Sequence, residues 1–169
     1  MQISNHDHII GKKEAPVELL EYGDYQCPYC RNAYYIIKEI QKEMGDDMRF
    51  IFRNFPITSI HPHSFHAALA AEAAAEQGKF WEMHDMLYEN QDQLEDAHLV
   101  EYAKKIDLDI ARFEEDFSKS SHYDKIREDY NSGLQYGVQG TPAFFVNGEI
   151  FQGNWMSPEF LSYLKSMVR

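Results

Sequence analysis

The sequence predicts an α/β domain whose sheet is assembled from two separated parts of the chain. Strand-like runs at 17–22 and 48–53 flank a helical pattern over 28–44, which makes a βαβ unit. Two more strand-like runs, 143–146 and 149–151, precede a last helical pattern. About 70 residues of helical periodicity separate the two parts. Because ββα alone has too little core, we expect one domain with an all-helical insertion.

The composition sets limits on the partners of the protein. The 169 residues are 44% hydrophobic and 14% aromatic, enough for a sizeable core, and the net charge is −12. This charge disfavours nucleic acid and anionic membranes as partners, and no apolar run is long enough for a membrane span. Residues 1–15 show no basic segment followed by an apolar stretch. We therefore expect no secretory signal and a cytoplasmic location, although a chain trimmed of its signal would look the same.

The first strand leads directly into the first helix. Val17–Tyr22 is a largely apolar run that ends at Gly23. Pro28 suits the first position of a helix because its missing N–H needs no partner there, and Gly45 suits the C-terminal stop. The apolar residues of this helix fall on one face: Ala33, Ile36, Ile37, Ile40 and Met44.

Five helices are predicted between residues 63 and 136, with Asp109 as the N-cap of the fourth. We interpret their apolar stripes as core faces, and we expect His84, His98 and His122 on helix surfaces. After them, Asn147-Gly148 predicts a type I′ turn between the last two strands. Ser157 then caps the last helix, which begins through Pro158.

The only two cysteines lie in the segment Cys27-Pro28-Tyr29-Cys30. Residues three apart share one side of a helical turn, close enough for a disulfide. At the helix start, unpaired N–H groups and the helix dipole favour a Cys27 thiolate. A low-pKa thiol beside a second thiol is suited to disulfide exchange. Cysteines confined to one motif also fit a reducing compartment.

Two other interpretations of the cysteine pair stay open at this point. The pair could form a structural bridge, or it could supply half of a zinc site completed by His61, His63 and His66. Structural zinc usually needs four ligands, and a second C-x-x-C is absent. Pro62 also indicates a helix start rather than a ligand pair. We therefore expect no metal and no cofactor.

The chain resembles the DsbA-like family of thiol–disulfide oxidoreductases, which have a thioredoxin fold with a helical insertion. The resemblance is carried by Cys27-Pro28-Tyr29-Cys30 after the first strand and by Gly140-Thr141-Pro142-Ala143-Phe144 before the third. The stretch from His61 to Trp81, which ends Gly78-Lys79-Phe80-Trp81, is similar to the first part of the family's insertion.

The resemblance covers the whole chain and implies a single DsbA-like domain, residues 1–169. Its thioredoxin-like parts are expected at residues 1–60 and 137–169, and the helical insertion at residues 61–136.

The resemblance also implies roles for residues around the cysteines. Pro142 is expected to be cis and to face the active-site pair. It exposes the backbone of Thr141 for pairing with an extended substrate peptide. Glu21, six residues before Cys27, matches the family's buried acidic residue and is expected to exchange a proton with Cys30.

Two further expectations concern the surroundings of the site. Tyr25, Tyr29 and Phe145 are predicted to border an apolar substrate groove. Asp24 and Arg53 are interpreted as surface charges with no assigned role.

The implied function is exchange of disulfides with protein or peptide substrates through Cys27 and Cys30. We expect a monomer and a possible thiol redox partner. Proline-tyrosine between the cysteines resembles the glutaredoxin dipeptide, whereas DsbA-type oxidases commonly have proline-histidine. Thr141 also replaces the valine of the best-known oxidases. The pair is therefore expected to be more reducing than that of a strong oxidase.

Two alternatives to this function remain. One is a glutathione-dependent isomerase or transferase of the same superfamily, although such enzymes usually have a serine or lone cysteine where Cys27 stands. The other is a zinc-binding or peptide-binding module without turnover.

Overall fold

A computed structural model describes residues 1–169 and contains one five-stranded sheet of order β1-β3-β2-β4-β5. Strands β2 and β3 pair in parallel, and all other neighbours are antiparallel. The predicted α/β architecture with two separated sheet-forming parts is confirmed. The strands are β1 (His8–Ile10), β2 (Val17–Gly23), β3 (Met48–Asn54), β4 (Ala143–Val146) and β5 (Glu149–Ile150).

Five of the seven helices lie between β3 and β4, within the range predicted for the insertion. Asp109 caps the fourth of these five, since its Oδ1 accepts a hydrogen bond from the Arg112 N–H at 3.0 Å. No helix combines the length and the apolar character that crossing a membrane requires. The helices are α1 (Pro28–Met44), α2 (Ser64–Ala75), α3 (Phe80–Glu89), α4 (Asp96–Lys105), α5 (Ile110–Phe117), α6 (Ser120–Gln135) and α7 (Glu159–Ser166).

The central strand β2 separates two hydrophobic clusters because successive side chains of a strand point to opposite faces. Leu19 belongs to the larger cluster, which also contains the buried residues of α1 and most of those from the helical insertion. Leu20 and Tyr22 belong to the smaller cluster on the other face. Glu21 alternates with Leu20 and Tyr22, so its carboxylate lies on the same face as Leu19 and α1.

The hairpin between β4 and β5 has the predicted geometry. Asn147 and Gly148 have φ values of +48° and +86°, as a type I′ turn requires at both central positions. The strand β1, by contrast, lies outside the predicted elements. Its Ile9 pairs with Ile51 of β3. The strand has only three residues, which is too short for an alternating hydrophobic pattern to be recognised in the sequence.

The interpretation of Arg53 as a surface charge is wrong. Its guanidinium is buried and donates to both carboxylate oxygens of Asp7, at 2.8 and 2.9 Å. It also donates to the Tyr22 hydroxyl at 2.9 Å and to the carbonyl of Gln2 at 2.8 Å. Arg53 therefore fastens the N-terminal segment to β3 through three hydrogen bonds, and its fourth hydrogen bond joins β3 to Tyr22 of β2.

The surface positions expected for His84 and His122 are also wrong, because both side chains are buried. His84 has a clear reason: its Nδ1 lies 3.0 Å from the Tyr25 hydroxyl, inside an aromatic cluster with Phe52 and Tyr88. Burial lowers the pKa of His84 well below its ordinary value, so the neutral ring accepts a hydrogen bond from the Tyr25 hydroxyl.

Candidate active site

The two cysteines lie at the N-terminal end of α1, as their spacing predicts. Cys27 caps the helix with an extended backbone, Pro28 is the first helical residue, and both thiols are free. Cys30 is fully buried and Cys27 is 5% exposed. Cys27 is therefore largely covered by its surroundings. One reason is that its Sγ lies only 3.6 Å from the carbonyl oxygen of Thr141.

The surroundings give the two thiols opposite acidities. A hydrogen bond from the Cys30 side chain is the largest cause that lowers the pKa of Cys27, to about 5. The backbone N–H groups of Cys30 and Tyr29 add to this effect, and all the hydrogen bonds to Cys27 together outweigh the burial that opposes them. Burial, first of all, raises the pKa of Cys30 well above its ordinary value. At neutral pH the pair therefore holds one thiolate, on Cys27, and one thiol.

We predict that alkylation of the reduced protein by iodoacetamide will reach half of its maximal rate near pH 5 because only the thiolate of Cys27 reacts. Mass spectrometry after tryptic digestion would assign the modified residue. Modification at Cys30, or a midpoint close to that of a free cysteine, would contradict this electrostatic picture.

The loop before β4 meets the cysteines, as the sequence predicts. The Thr141–Pro142 peptide bond is cis, and both residues are partly exposed. The Thr141 carbonyl faces the Cys27 sulfur, which places Thr141 beside the reactive atom. The cis geometry of Pro142 is thus confirmed, whereas the substrate-pairing role of Thr141 stays a prediction.

Glu21 is buried in the middle of β2, with 1% of its surface exposed. In the sheet it stands in register between Phe52 and Phe144. Its Oε1 has no hydrogen-bond partner. Burial, and then the negative charge of the Cys27 thiolate, raise the pKa of Glu21 to about 8. A carboxyl group with this pKa can both hold and release a proton near neutral pH, and its transfer role stays a prediction.

Only one of the three aromatic residues assigned to a substrate groove is exposed. Tyr29, between the cysteines, is 60% exposed and remains a candidate contact for substrate. Tyr25 is buried and packs against Phe52 and Tyr88, so its predicted place at the groove border is wrong. The predicted place of Phe145 at the groove border is also wrong, because this residue is buried in the smaller hydrophobic cluster on the other face of the sheet.

Asp24, interpreted from the sequence as a surface charge, is a buried residue of the site. Its carboxylate accepts from the backbone N–H groups of Gln26 and Ile57, each at 2.8 Å. The Nδ1 of His61 lies 2.8 Å from the same carboxylate. The N–H of Asp24 itself reaches the Cys30 sulfur at 3.5 Å. Asp24 therefore ties the segment between β3 and α2 to the loop before the cysteines.

The sequence contained a weak signal for this position. An aspartate two residues before the N–H that it accepts from is typical of an Asx turn. Its long-range partners Ile57 and His61 could not be read from spacing.

Two of the three histidines considered as zinc ligands bond to carboxylates. His61 pairs with Asp24, and the Nδ1 of His66 lies 2.7 Å from Asp96 Oδ1. Nowhere in the chain do three or more histidine, cysteine, aspartate or glutamate side chains form a group that could hold a metal ion. The arrangement instead juxtaposes a thiolate, a thiol and a protonated carboxyl group.

Comparison with known proteins agrees with this geometry. The family model described as "Thioredoxin" matches residues 4–166. The chain belongs to this family. Its solved structural neighbours are DsbA-like thiol–disulfide oxidoreductases, and the chain shares their thioredoxin fold with a helical insertion. The resemblance stated from the motifs is thereby confirmed.

Two solved structures illustrate the relationship. A thioredoxin-like oxidoreductase from Silicibacter pomeroyi superposes with a TM-score of 0.85 at 25% identity, covering 96% of this chain and 92% of that one. Oxidised BdbD from Bacillus subtilis superposes with a TM-score of 0.84 at 26% identity, covering 96% of this chain and 93% of that one. Both likenesses extend over the sheet and the helical insertion together.

The curated relatives are much longer proteins. A protein from Salinispora tropica named Na(+)/H(+) antiporter NhaA 3 is 44% identical over 149 residues, which is 88% of this chain and 23% of the relative. The chain thus spans about a quarter of the length of the first such relatives. Antiport is in the name of those whole proteins, and the similarity concerns one part of each.

Proposed function

We propose that the protein exchanges disulfides with protein or peptide substrates through Cys27 and Cys30. The observation that carries the proposal is the position of the Cys27 sulfur. It is ionised at the start of α1, lies against the Thr141 carbonyl and is hydrogen-bonded by the thiol of Cys30. A thiolate with a second thiol beside it can both form and release a mixed disulfide.

In the oxidising direction, a substrate thiolate attacks the sulfur of Cys27 in the Cys27–Cys30 disulfide. The bond between the two cysteines breaks, and its electron pair leaves with Cys30. Because the pKa of Cys30 is raised well above that of Glu21, the Cys30 thiolate takes the proton held by the Glu21 carboxyl. A second substrate thiolate then attacks the substrate sulfur of the mixed disulfide, and Cys27 leaves as a stable thiolate.

In the reducing direction the same bonds form and break in reverse order. The Cys27 thiolate attacks a substrate disulfide and releases one substrate thiolate. Once Cys27 is in the mixed disulfide its negative charge is gone, so the pKa of Glu21 falls and its carboxyl group loses its proton to solvent. The Glu21 carboxylate then takes the proton of Cys30, and the Cys30 thiolate attacks the Cys27 sulfur, which breaks the mixed disulfide and releases the second substrate thiolate. Two electrons pass to the substrate, and a thiol redox partner must restore the dithiol.

The reduction potential of the pair sets the favoured direction. Tyr29 lacks the imidazole that a histidine would place beside the Cys27 thiolate, which removes one stabilising group from the reduced form. We therefore propose that the pair is more reducing than that of a strong disulfide oxidase. The cytoplasmic location expected from the sequence fits this direction and stays a prediction.

Turnover assays test the proposed function. We expect the wild-type protein to catalyse insulin reduction with dithiothreitol and to oxidise a dithiol peptide when supplied with oxidised glutathione. Equilibration with glutathione buffers, read by alkylation and mass spectrometry, gives the potential. Failure to accelerate either reaction would overturn the proposal, and a potential as high as that of the strongest oxidases would overturn the proposed direction.

A further inference from the structure

We propose that Gln91 is a positioning residue of the cysteine pair: its side-chain amide holds the Cys27 carbonyl and so fixes how the Cys27 sulfur faces the start of α1. The inference rests on the proposed function and adds to it a residue from the helical insertion, more than 60 positions further along the chain. Neither the motif nor the neighbouring strand contains it.

Gln91 lies in the segment between α3 and α4 and is 8% exposed. Its Nε2 donates to the carbonyl of Tyr25 at 2.9 Å and to the carbonyl of Cys27 at 2.8 Å. A glutamine amide carries two N–H donors, and both are used on this one loop. The side chain therefore clamps the two carbonyls on either side of Gln26.

The Cys27 carbonyl is a position where a clamp has a direct consequence. It also accepts the first hydrogen bond of α1, from the Arg31 N–H at 3.1 Å. The next residue is Pro28, which has no N–H, so the peptide group after Cys27 can be fixed only through its carbonyl. The Cys27 carbonyl thus accepts one hydrogen bond from within α1 and a second one from Gln91, which lies outside the helix.

Orientation of this peptide group sets the place of the sulfur. The backbone of Cys27 has φ −72° and ψ 123°, and a change in ψ turns the residue relative to the helix that follows it. The thiolate accepts from the N–H groups of Tyr29 and Cys30 only in a narrow range of directions. Loss of the clamp is therefore expected to weaken these bonds and to raise the pKa of Cys27.

A purely structural role for Gln91 makes a different prediction. In that case the side chain only anchors the segment between α3 and α4 to the rest of the fold. Its removal would lower the stability of the protein and leave the ionisation of Cys27 unchanged. The two possibilities are separated by measuring thiolate formation and unfolding on the same variants.

The test uses Gln91→Met, which keeps the length of the side chain and removes both donors. The matched control is Gln93→Met, two residues further along the same segment, where the side chain is exposed. For each reduced protein, the rate of iodoacetamide alkylation is measured from pH 3.5 to 8, and urea unfolding is followed in parallel. We expect the Gln91→Met midpoint to rise by about one unit, a tenfold lower rate well below the midpoint, with no change for the control.

An unchanged midpoint in Gln91→Met, whatever its stability, would overturn the positioning role. If this variant does not fold, Gln91→Asn keeps the two donors on a shorter side chain, and a midpoint equal to that of wild type would again refute the inference. The measurement needs no turnover. Lack of activity in the wild-type protein would therefore refute the proposed function and leave the test of Gln91 intact.

Discussion

Replacement of Cys27 by serine is expected to abolish disulfide exchange in both directions. A serine hydroxyl is not ionised at neutral pH and cannot form the mixed disulfide, so neither the attacking nor the leaving sulfur remains. Replacement of Cys30 by serine removes only the resolving thiol. The Cys27 thiolate can still attack a substrate disulfide, but no neighbouring sulfur releases the product, and the mixed disulfide is expected to accumulate.

Insulin reduction measures the first effect, and non-reducing electrophoresis with mass spectrometry measures the second. We expect the turnover of Cys27→Ser to equal the rate without protein, and Cys30→Ser to carry one equivalent of substrate attached at Cys27. The double variant Cys27→Ser, Cys30→Ser is the control for trapping and should carry no attached substrate. Wild-type turnover in Cys27→Ser, or a trapped substrate on the double variant, would contradict the assignment.

Local patterns were sufficient to predict the frame of the site. The helix that begins at Pro28 and the strand that contains Glu21 follow from residues within a few positions, whereas the cis geometry at Pro142 was implied by the family resemblance. The cysteine spacing placed both sulfurs on one turn. These features are determined by backbone preferences that act over one turn of helix or one hairpin.

The parts that the sequence did not reveal depend on partners distant in the chain. Asp24 and Arg53 are charged residue types that are usually exposed. The burial of Asp24 is explained by its hydrogen bonds with Ile57 and His61, and that of Arg53 by its ion pair with Asp7. Gln91 has no motif at all, because its function is defined by two carbonyls 64 and 66 residues away. A buried polar residue becomes identifiable only when the group that satisfies it is known.

The same distinction explains the aromatic residues. Tyr25 and Tyr29 each lie two residues from Cys27 in sequence. They end in opposite environments because Tyr25 meets Phe52 and Tyr88 across the core, whereas Tyr29 projects from the first turn of α1. Proximity to a motif therefore does not indicate exposure.

The second large effect concerns the pH dependence of stability in the reduced protein, where two titrations oppose each other. Cys27 has a pKa of about 5 in the folded state, against an ordinary value of 9.0. Between these values the unfolded chain holds a proton that the folded chain has lost. Stability from this group is fully present above pH 9 and is lost as the pH falls through 5, at about 1.4 kcal/mol per pH unit.

Glu21 acts with the opposite sign. Its pKa is about 8 in the folded state, against an ordinary value of 4.5, so between these values the folded chain holds the extra proton. Stability from this group is fully present below pH 4.5 and is lost as the pH rises through 8, again at about 1.4 kcal/mol per unit. Between pH 5 and 8 the two contributions of the wild-type protein are expected to cancel.

Single variants should therefore separate the two slopes. In Glu21→Gln only the cysteine term remains, and the free energy of unfolding relative to wild type should increase from pH 5 to 8. In Cys27→Ser only the carboxyl term remains, and the relative free energy should decrease over the lower part of this range. The decrease should end below pH 8 because the thiolate charge that helps to raise the pKa of Glu21 is gone.

Urea unfolding at pH 5, 6, 7 and 8 under reducing conditions measures these slopes. Differences from wild type are used because titrations common to all variants cancel. The control is the double variant Glu21→Gln, Cys27→Ser, which lacks both groups and should run parallel to wild type. If the single variants also run parallel to wild type, the carboxyl of Glu21 and the thiol of Cys27 do not titrate as the site geometry requires. Opposite slopes would show that, between pH 5 and 8, the folded reduced protein holds one proton on Glu21 and none on Cys27. The protonated Glu21 carboxyl group then places no negative charge near the Cys27 thiolate.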